Sequence, residues 1–277
     1  MFLAWLVMVP ACGAQGPSWW TNRSVINTNA SPNDYALVNQ GQVKNMAVHA
    51  AAEMNADLPG GAGTNVTALI NSFSTTNNYL PANLGQLKSV AQPFYDRLIA
   101  VGYTNAYPWA SATTTNDFAI ANIGQLKNLF AWDLTYSSVG DGIPNWWRAL
   151  YFANQPTGNQ NGTMTNSQSC AACDADGTGQ NNMFKYVTGL NPTNTASVFL
   201  LNITPTNQPS QNNLLFTPLA LGRTYTPEFS TDLTSGVWLP LSTYLGPLTN
   251  NNRTQASVID TNPIPPREFY RIQISLP

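Results

Sequence analysis

Charge is what this chain has least of. Asp, Glu, Lys and Arg make up 9% of its 277 residues, against roughly 25% in an average globular protein. The net charge is −2 and no basic run occurs anywhere. That excludes a groove built for nucleic acid and a polybasic membrane patch. Catalytic side chains are scarce too. There is one histidine, His49, and the glutamates are Glu53, Glu228 and Glu268. No nucleophile elbow, phosphate loop or metal triad is present, so the chain is not expected to be an enzyme. Beyond the N-terminus no apolar run is long enough to cross a bilayer. Asn, Thr, Ser, Gly and Pro fill the space that charge leaves, a surface suited to an extracellular setting. Hydrophobic residues still reach 43%, enough to bury real cores in two or three small domains.

The opening stretch, MFLAWLVMVPACGAQG, reads as a secretory signal peptide over residues 1–14, with small residues before a cleavage point after Ala14. No basic residue precedes its apolar run. A second reading takes VPAC as a weak lipobox with Cys12 as a lipid anchor; plain secretion is preferred. Once that segment is removed, Cys170 and Cys173 are the remaining cysteines. In an oxidising compartment they are expected to form a short disulfide, worth about 2 kcal/mol from loop closure. A zinc site would need two further ligands, and His49 lies far away.

A polar phrase occurs three times: NQGQVKN at 39–45, NLGQLKS at 83–89 and NIGQLKN at 122–128. With Asn39, Asn83 and Asn122 as helix N-caps, Gln42, Gln86 and Gln125 fall at the third helical position. That is the asparagine form of the capping box. Val38, Ala82 and Ala121 then precede the cap, opposite Val43, Leu87 and Leu126, as a hydrophobic staple. Downstream, Val43, Met46, Ala47, Ala50 and Met54 share one helical face, as do Leu87, Val90, Ala91, Phe94 and Leu98, and Leu126, Leu129, Phe130 and Leu134. Tyr35, Tyr79 and Phe118 each sit four residues before a cap. Pro93 is expected to bend or break the second helix. A spacing of about 40 residues predicts helical units stacked on one another. The glycine lets something pack closely at the first turn. Lys44, Lys88 and Lys127 are not explained by capping. Asp34 and Asp117 offer partners for two of them, but the middle repeat carries Asn78, so solvated lysines are the expectation.

Two later segments have the register of EF-hand calcium loops. In the second, Asp174, Asp176, Thr178, Gln180 and Asn182 hold positions 1, 3, 5, 7 and 9, with Gly179 at the sharp turn. The twelfth position, where a bidentate Glu belongs, is Lys185. In the first, Asp141 holds position 5, Ser137 and Val139 hold positions 1 and 3, and Arg148 holds position 12. Either the second loop binds Ca²⁺ weakly, or it keeps the shape while Lys185, near Asp174 and Asp176, supplies the positive charge. The second reading is preferred, so the only cofactor in question is weakly held calcium.

From residue 197 the helix signals stop. VFLLNI, NLLFTPL, TYTPEFS, VWLPLS, ASVID and FYRIQISL are short apolar or alternating runs between turn residues. They predict an antiparallel β-sandwich of six or seven strands over 197–277. Tyr225, Phe229, Trp238 and Phe269 are most simply core; an aromatic face for sugars is the alternative.

These residues also carry a resemblance. The N-x-G-Q-[LV]-K units after GPSWWTNR, followed by DGIPNWW and DADGTGQNNMFKYVTGLNP, resemble secreted proteins of the Verrucomicrobia, a bacterial group. The later segments look like bacterial thrombospondin type 3 or EF-hand-like calcium repeats. GRTYTPEFSTDLTSGVW with REFYRIQI is similar to a β-domain that ends many such exported proteins. The resemblance implies a secreted or cell-surface location rather than a reaction. The expected fold is therefore α+β and multidomain. It has an all-α repeat domain over 15–136, a degenerate calcium-loop linker segment over 137–196 and the C-terminal β-sandwich. The expected role is a non-catalytic structural or adhesion protein, with a carbohydrate- or cell-wall-binding module as the alternative. The partner class is then cell-envelope or extracellular polysaccharide.

Overall fold

A computed structural model describes residues 16–25, 33–109, 117–152, 167–208, 211–241, 254–261 and 267–276. The expected signal peptide and Cys12 lie outside them. The described chain mixes helix and strand. Seven helices come first: α1 (Ser18–Asn22), α2 (Gln40–Asp57), α3 (Gly63–Asn71), α4 (Leu84–Ala100), α5 (Ile123–Leu129), α6 (Asn145–Phe152) and α7 (Asn182–Thr188). Six strands follow: β1 (Leu200–Pro205), β2 (Asn212–Thr217), β3 (Thr224–Ser230), β4 (Leu239–Pro240), β5 (Ala256–Asp260) and β6 (Phe269–Ser275).

All three repeat helices begin at the expected asparagines, each with a complete capping box. In the last, Gln125 N donates to Asn122 Oδ1 at 2.8 Å and Asn122 N donates to Gln125 Oε1 at 2.9 Å. Val38, Ala82, Ala121, Val43, Leu87 and Leu126 are all buried, as staples require. A capping box satisfies two of the orphan donors at a helix start and leaves the first two helical N–H groups without partners. Here the neighbouring repeat supplies them. Gln40 and Gly41 donate to Leu80 O and Asn78 O at 2.9 and 2.8 Å. Leu84 and Gly85 donate to Ala119 O and Asp117 O, both at 2.9 Å. Ile123 and Gly124 donate to Ala36 O and Asp34 O at 2.9 and 2.8 Å. The first repeat leans on the second, the second on the third, and the third on the first.

The units therefore do not stack in a row, as their spacing suggested; they close into a ring. At its centre Val38 N donates to Ala121 O (3.1 Å), Ala121 N to Ala82 O (2.9 Å) and Ala82 N to Val38 O (2.9 Å). The motif glycine is required by this closure. A Cβ on Gly85 would lie 3.0 Å from Asp117 Cβ and 3.2 Å from its carbonyl oxygen, and Gly41 and Gly124 meet Asn78 and Asp34 in the same way. The lysines follow the same rule rather than being solvated. Lys88 pairs with Asp117 and Lys127 with Asp34, both at 2.6 Å. Lys44, facing an asparagine instead, donates to Asn78 Oδ1 (2.8 Å) and to the carbonyls of Ser74 and Thr76.

Below the ring lies one apolar cluster. α4 runs unbroken through Pro93, with Leu87, Ala91, Phe94 and Leu98 fully buried along it. Packing along the whole face outweighs the one backbone donor that proline lacks. Trp19 stacks on Trp132 at 5.1 Å and donates its indole N–H to Trp132 O; Trp20 donates to Phe130 O. Ile143, Trp146, Trp147, Phe152 and Tyr186 belong to the same cluster, so α6 and α7 pack on the repeat helices.

The strands match the apolar runs closely. They form two three-stranded antiparallel sheets, ordered β1-β2-β5 and β4-β3-β6. Phe216, Tyr225 and Ala256 are the buried centre of a second cluster, joined by Phe199, Leu201, Val258, Ile272 and Ile274 from both sheets. Of the four aromatics expected in the core, only Tyr225 is buried. Phe229 and Trp238 are half-buried, and Phe269 is exposed. Trp238 lies under the Arg271 guanidinium, 4.3 Å from its ring centre.

Candidate functional site

The two calcium-like loops fold alike. Glycines at loop positions four and six adopt left-handed backbone in both: φ is +74° and +86° at Gly140 and Gly142, +71° and +84° at Gly177 and Gly179. Only glycine takes those values without strain. The twelfth residue then reaches inward. Arg148, fully buried, donates to Asp141 at 2.6 Å and to the carbonyls of Ile143 and Ser169. Lys185, equally buried, pairs with Asp176, whose side chain is only 2% exposed. Asp174 is occupied otherwise: its oxygens accept the N–H groups of Thr178 (3.1 Å) and Gly179 (2.6 Å). Burial pushes the Asp141 and Asp176 carboxyls up, but the hydrogen bonds from Arg148 and Lys185, with those from neighbouring donors, outweigh it. Both groups end below the usual carboxylate value.

Of the predicted ligand set, Asp174, Asp176 and Thr178 come together. The side chains of Gln180 and Asn182 turn away. Gln180 exchanges two hydrogen bonds with the Phe199 backbone, and Asn182 donates to the carbonyls of Gln168 and Cys170. Calcium needs six to eight oxygens. Here an ammonium stands against one of the two carboxylates, and the other is saturated by backbone. The residues present do not fit the ion. Cys170 and Cys173 form a disulfide beside the loop.

A second candidate is the outer face of the ring. Side chains alternate along the three short bridging segments. Val38, Ala82 and Ala121 point into the core, so their neighbours Leu37, Pro81 and Ile120 point out, and Leu37 and Ile120 are more than half exposed. Two residues further back in each segment stand Tyr35, Tyr79 and Phe118, exposed by 91%, 94% and 91%. The threefold backbone thus displays three nearly bare aromatic rings at equivalent positions. Their places were legible as repeats; their exposure was not, because it follows from ring closure.

A third candidate is a cavity of about 220 Å³ where the end of α2, α6, the end of α7 and the 219–223 loop meet. Trp146, Trp147, Tyr151 and Tyr186 wall it, with Asp57 and Arg223. Burial first, then the neighbouring Glu53 carboxyl, raises Asp57 to about 7. Glu53 is also held by Arg23 Nε at 2.7 Å. Burial lowers Arg223, whose guanidinium donates to the carbonyls of Val187 (2.6 Å) and Ala56 (2.7 Å). No reading of the sequence pointed here. One signal was available: Glu53 and Asp57, four residues apart, flank Met54 on the buried face of a helix.

Among the described residues no helix is long and apolar enough to cross a membrane. Comparison of the chain with models of protein families, with curated proteins and with solved structures gives no match.

Proposed function

We propose that this protein is a non-catalytic, secreted or cell-surface structural and adhesion protein that holds neutral extracellular polysaccharide on the outer face of its three-repeat ring. The observation that carries the reading is the trio Tyr35, Tyr79 and Phe118, each more than nine-tenths exposed on equivalent backbone. Single exposed aromatics need no explanation, but the same display at three equivalent positions of one ring is a pattern rather than a scatter. Bare, separate rings suit the flat C–H faces of sugar units better than a protein partner, which would favour one continuous patch around a central anchor. The rim carries little free charge, since Lys88 and Lys127 are paired with Asp117 and Asp34. A site repeated three times suits a polymer that repeats its own unit, because modest contacts to one chain reinforce each other.

Other features agree with this reading. A disulfide and a charge-poor surface are compatible with an extracellular setting. The two sheets meeting over one cluster support a small β-sandwich beside the helical part. Two carboxyl pairs among the described residues are in hydrogen-bonding contact, Glu53 with Asp57 and Asp260 with Glu268. That is closer than the roughly 5–9.5 Å a glycosidase needs between its acid and its second carboxylate. In the loops, Arg148 and Lys185 take the place of calcium as internal cations.

The test is retention of the secreted chain on insoluble cellulose, chitin and xylan, beside the variant Tyr35→Ser/Tyr79→Ser/Phe118→Ser. The parent is expected to be retained on at least one of them. The variant should lose retention while melting at the same temperature. No retention on any of the three, or a parent that self-associates in sedimentation through these residues, overturns the polysaccharide reading.

A further inference from the structure

We infer that the cavity between α2, α6, α7 and the 219–223 loop is a second site, binding one neutral sugar ring or a polyol of that size. The inference deepens the polysaccharide reading, from which it takes its ligand class, but it uses none of the ring-face residues.

Size sets the first limit. At about 220 Å³ the cavity is smaller than the roughly 300–1,000 Å³ that hold drug-sized ligands, and it suits a single ring.

Unmet hydrogen-bonding capacity is the second point. Asp57 is more than nine-tenths buried and lines the cavity. Its hydrogen-bonding neighbour among the described residues is another carboxyl, Glu53, and one such contact does not fill a carboxyl's capacity. The Tyr186 hydroxyl lines the same wall without a hydrogen bond to any described residue, and it feels the charges of both Asp57 and Arg223. Both groups thus keep hydrogen-bonding capacity that a ligand in the cavity can use.

Charge decides the ligand class. A cation would face the Arg223 guanidinium, and an anion would face Glu53 and Asp57. A neutral ligand meets neither penalty. A carboxyl that shares its proton with Glu53 still accepts, and a phenol donates and accepts, as sugar hydroxyls do. Trp146 and Trp147 supply apolar wall for the C–H face of a ring. Arg223 is pinned by backbone carbonyls, so it shapes the site rather than reaching into it.

The experiment titrates the full secreted chain with methyl β-D-glucopyranoside, N-acetylglucosamine and glycerol, followed through the tryptophan indole N–H signals by NMR. Saturable binding of at least one probe is expected, at about 1–10 mM for a ligand of this size. Tyr186→Phe removes a hydroxyl that no described protein group uses, so it should leave the melting temperature unchanged and weaken binding at least fivefold. Asp57→Asn should also weaken it. The Tyr35/Tyr79/Phe118 triple variant should bind the small probes as the parent does. Loss of polymer retention with small-probe binding intact would then count against the ring face alone. No saturable shift for any probe up to 100 mM, or binding indifferent to Tyr186→Phe, overturns the inference and leaves the cavity to water.

Discussion

Replacing Lys185 by methionine tests whether a side-chain cation holds the second loop. The Lys185 and Asp176 side chains are 1% and 2% exposed, so the pair is enclosed and almost unscreened by water. Methionine fills similar volume and removes only the charge and its hydrogen bond. What remains for Asp176 is the Thr178 hydroxyl at 2.8 Å and its N–H at 3.3 Å. Breaking a buried pair from one side costs about 3–5 kcal/mol, because the other charge is left without compensation. Part of that is relieved if Asp176 takes up a proton, so the loss should be larger at pH 7 than at pH 4. The parent's folded Asp176 lies below its ordinary value. Its contribution is therefore present above about pH 4 and is lost as pH falls further. The variant should have no such step. Lys185→Met/Asp176→Asn should recover much of the loss, since neither charge is then buried alone. Urea unfolding at both pH values, with millimolar Ca²⁺ and with chelator, reads all of this. The parent should not respond to calcium, whereas Lys185→Glu with Thr178→Asp should gain a calcium-dependent rise. A loss below about 1 kcal/mol for Lys185→Met, within the range of an exposed pair, would refute the reasoning. So would a parent strongly stabilised by calcium.

Gly85→Ala should destabilise by about 1–2 kcal/mol in urea, even though alanine is the better helix former by about 1 kcal/mol. The added Cβ meets the Asp117 Cβ and carbonyl at 3.0 and 3.2 Å, and a gain in stability would mean the ring is looser than described. Asp57, facing Glu53, Arg23, Arg223 and Tyr186, holds a proton in the folded chain up to about pH 7 that the unfolded chain releases near 3.8. Stability should therefore fall as pH rises from 4 to 7, by at most about 4 kcal/mol, and Asp57→Asn should flatten that slope. An unchanged slope in the variant would assign it elsewhere.

Local chemistry was readable in the sequence and closure was not. Asn39 and Gln42 are three residues apart, so cap, box and staple can be read from one short window. The partner of Gly41 is the Asn78 carbonyl, 37 positions away, and nothing in either segment names the other. In hindsight the signal was joint. Asp, Asn and Asp stand at 34, 78 and 117, while a lysine stands at the same place in every phrase, and each lysine belongs to the next repeat's residue. Spacing alone suggested a stack because a row and a ring share the same period. The longer strands coincide closely with the apolar runs, but β4 keeps only Leu239–Pro240 of VWLPLS, and Phe229 is half-buried rather than core. Pro227 and Glu228 are both buried, so the alternation of β3 slips there, and Glu228 is held by Arg271 Nε at 2.6 Å from β6. The cavity was invisible because its walls come from four separate segments.

A ring has no ends, and this sets the molecule apart from helical arrays that grow by adding copies. In an open array a duplicated or deleted unit leaves two surfaces that still match. Here the third phrase must find the first one's turn, Ile123 N reaching Ala36 O. Removing one unit would strand backbone donors at a helix start with no acceptor to replace them. Adding one would force the triangle at Val38, Ala82 and Ala121 open. The number three is thus a geometric constant of this ring. During synthesis the first two phrases must wait, half-satisfied, until the third leaves the ribosome. Assembly of the ring should therefore be a single late event rather than a progression from the N-terminus.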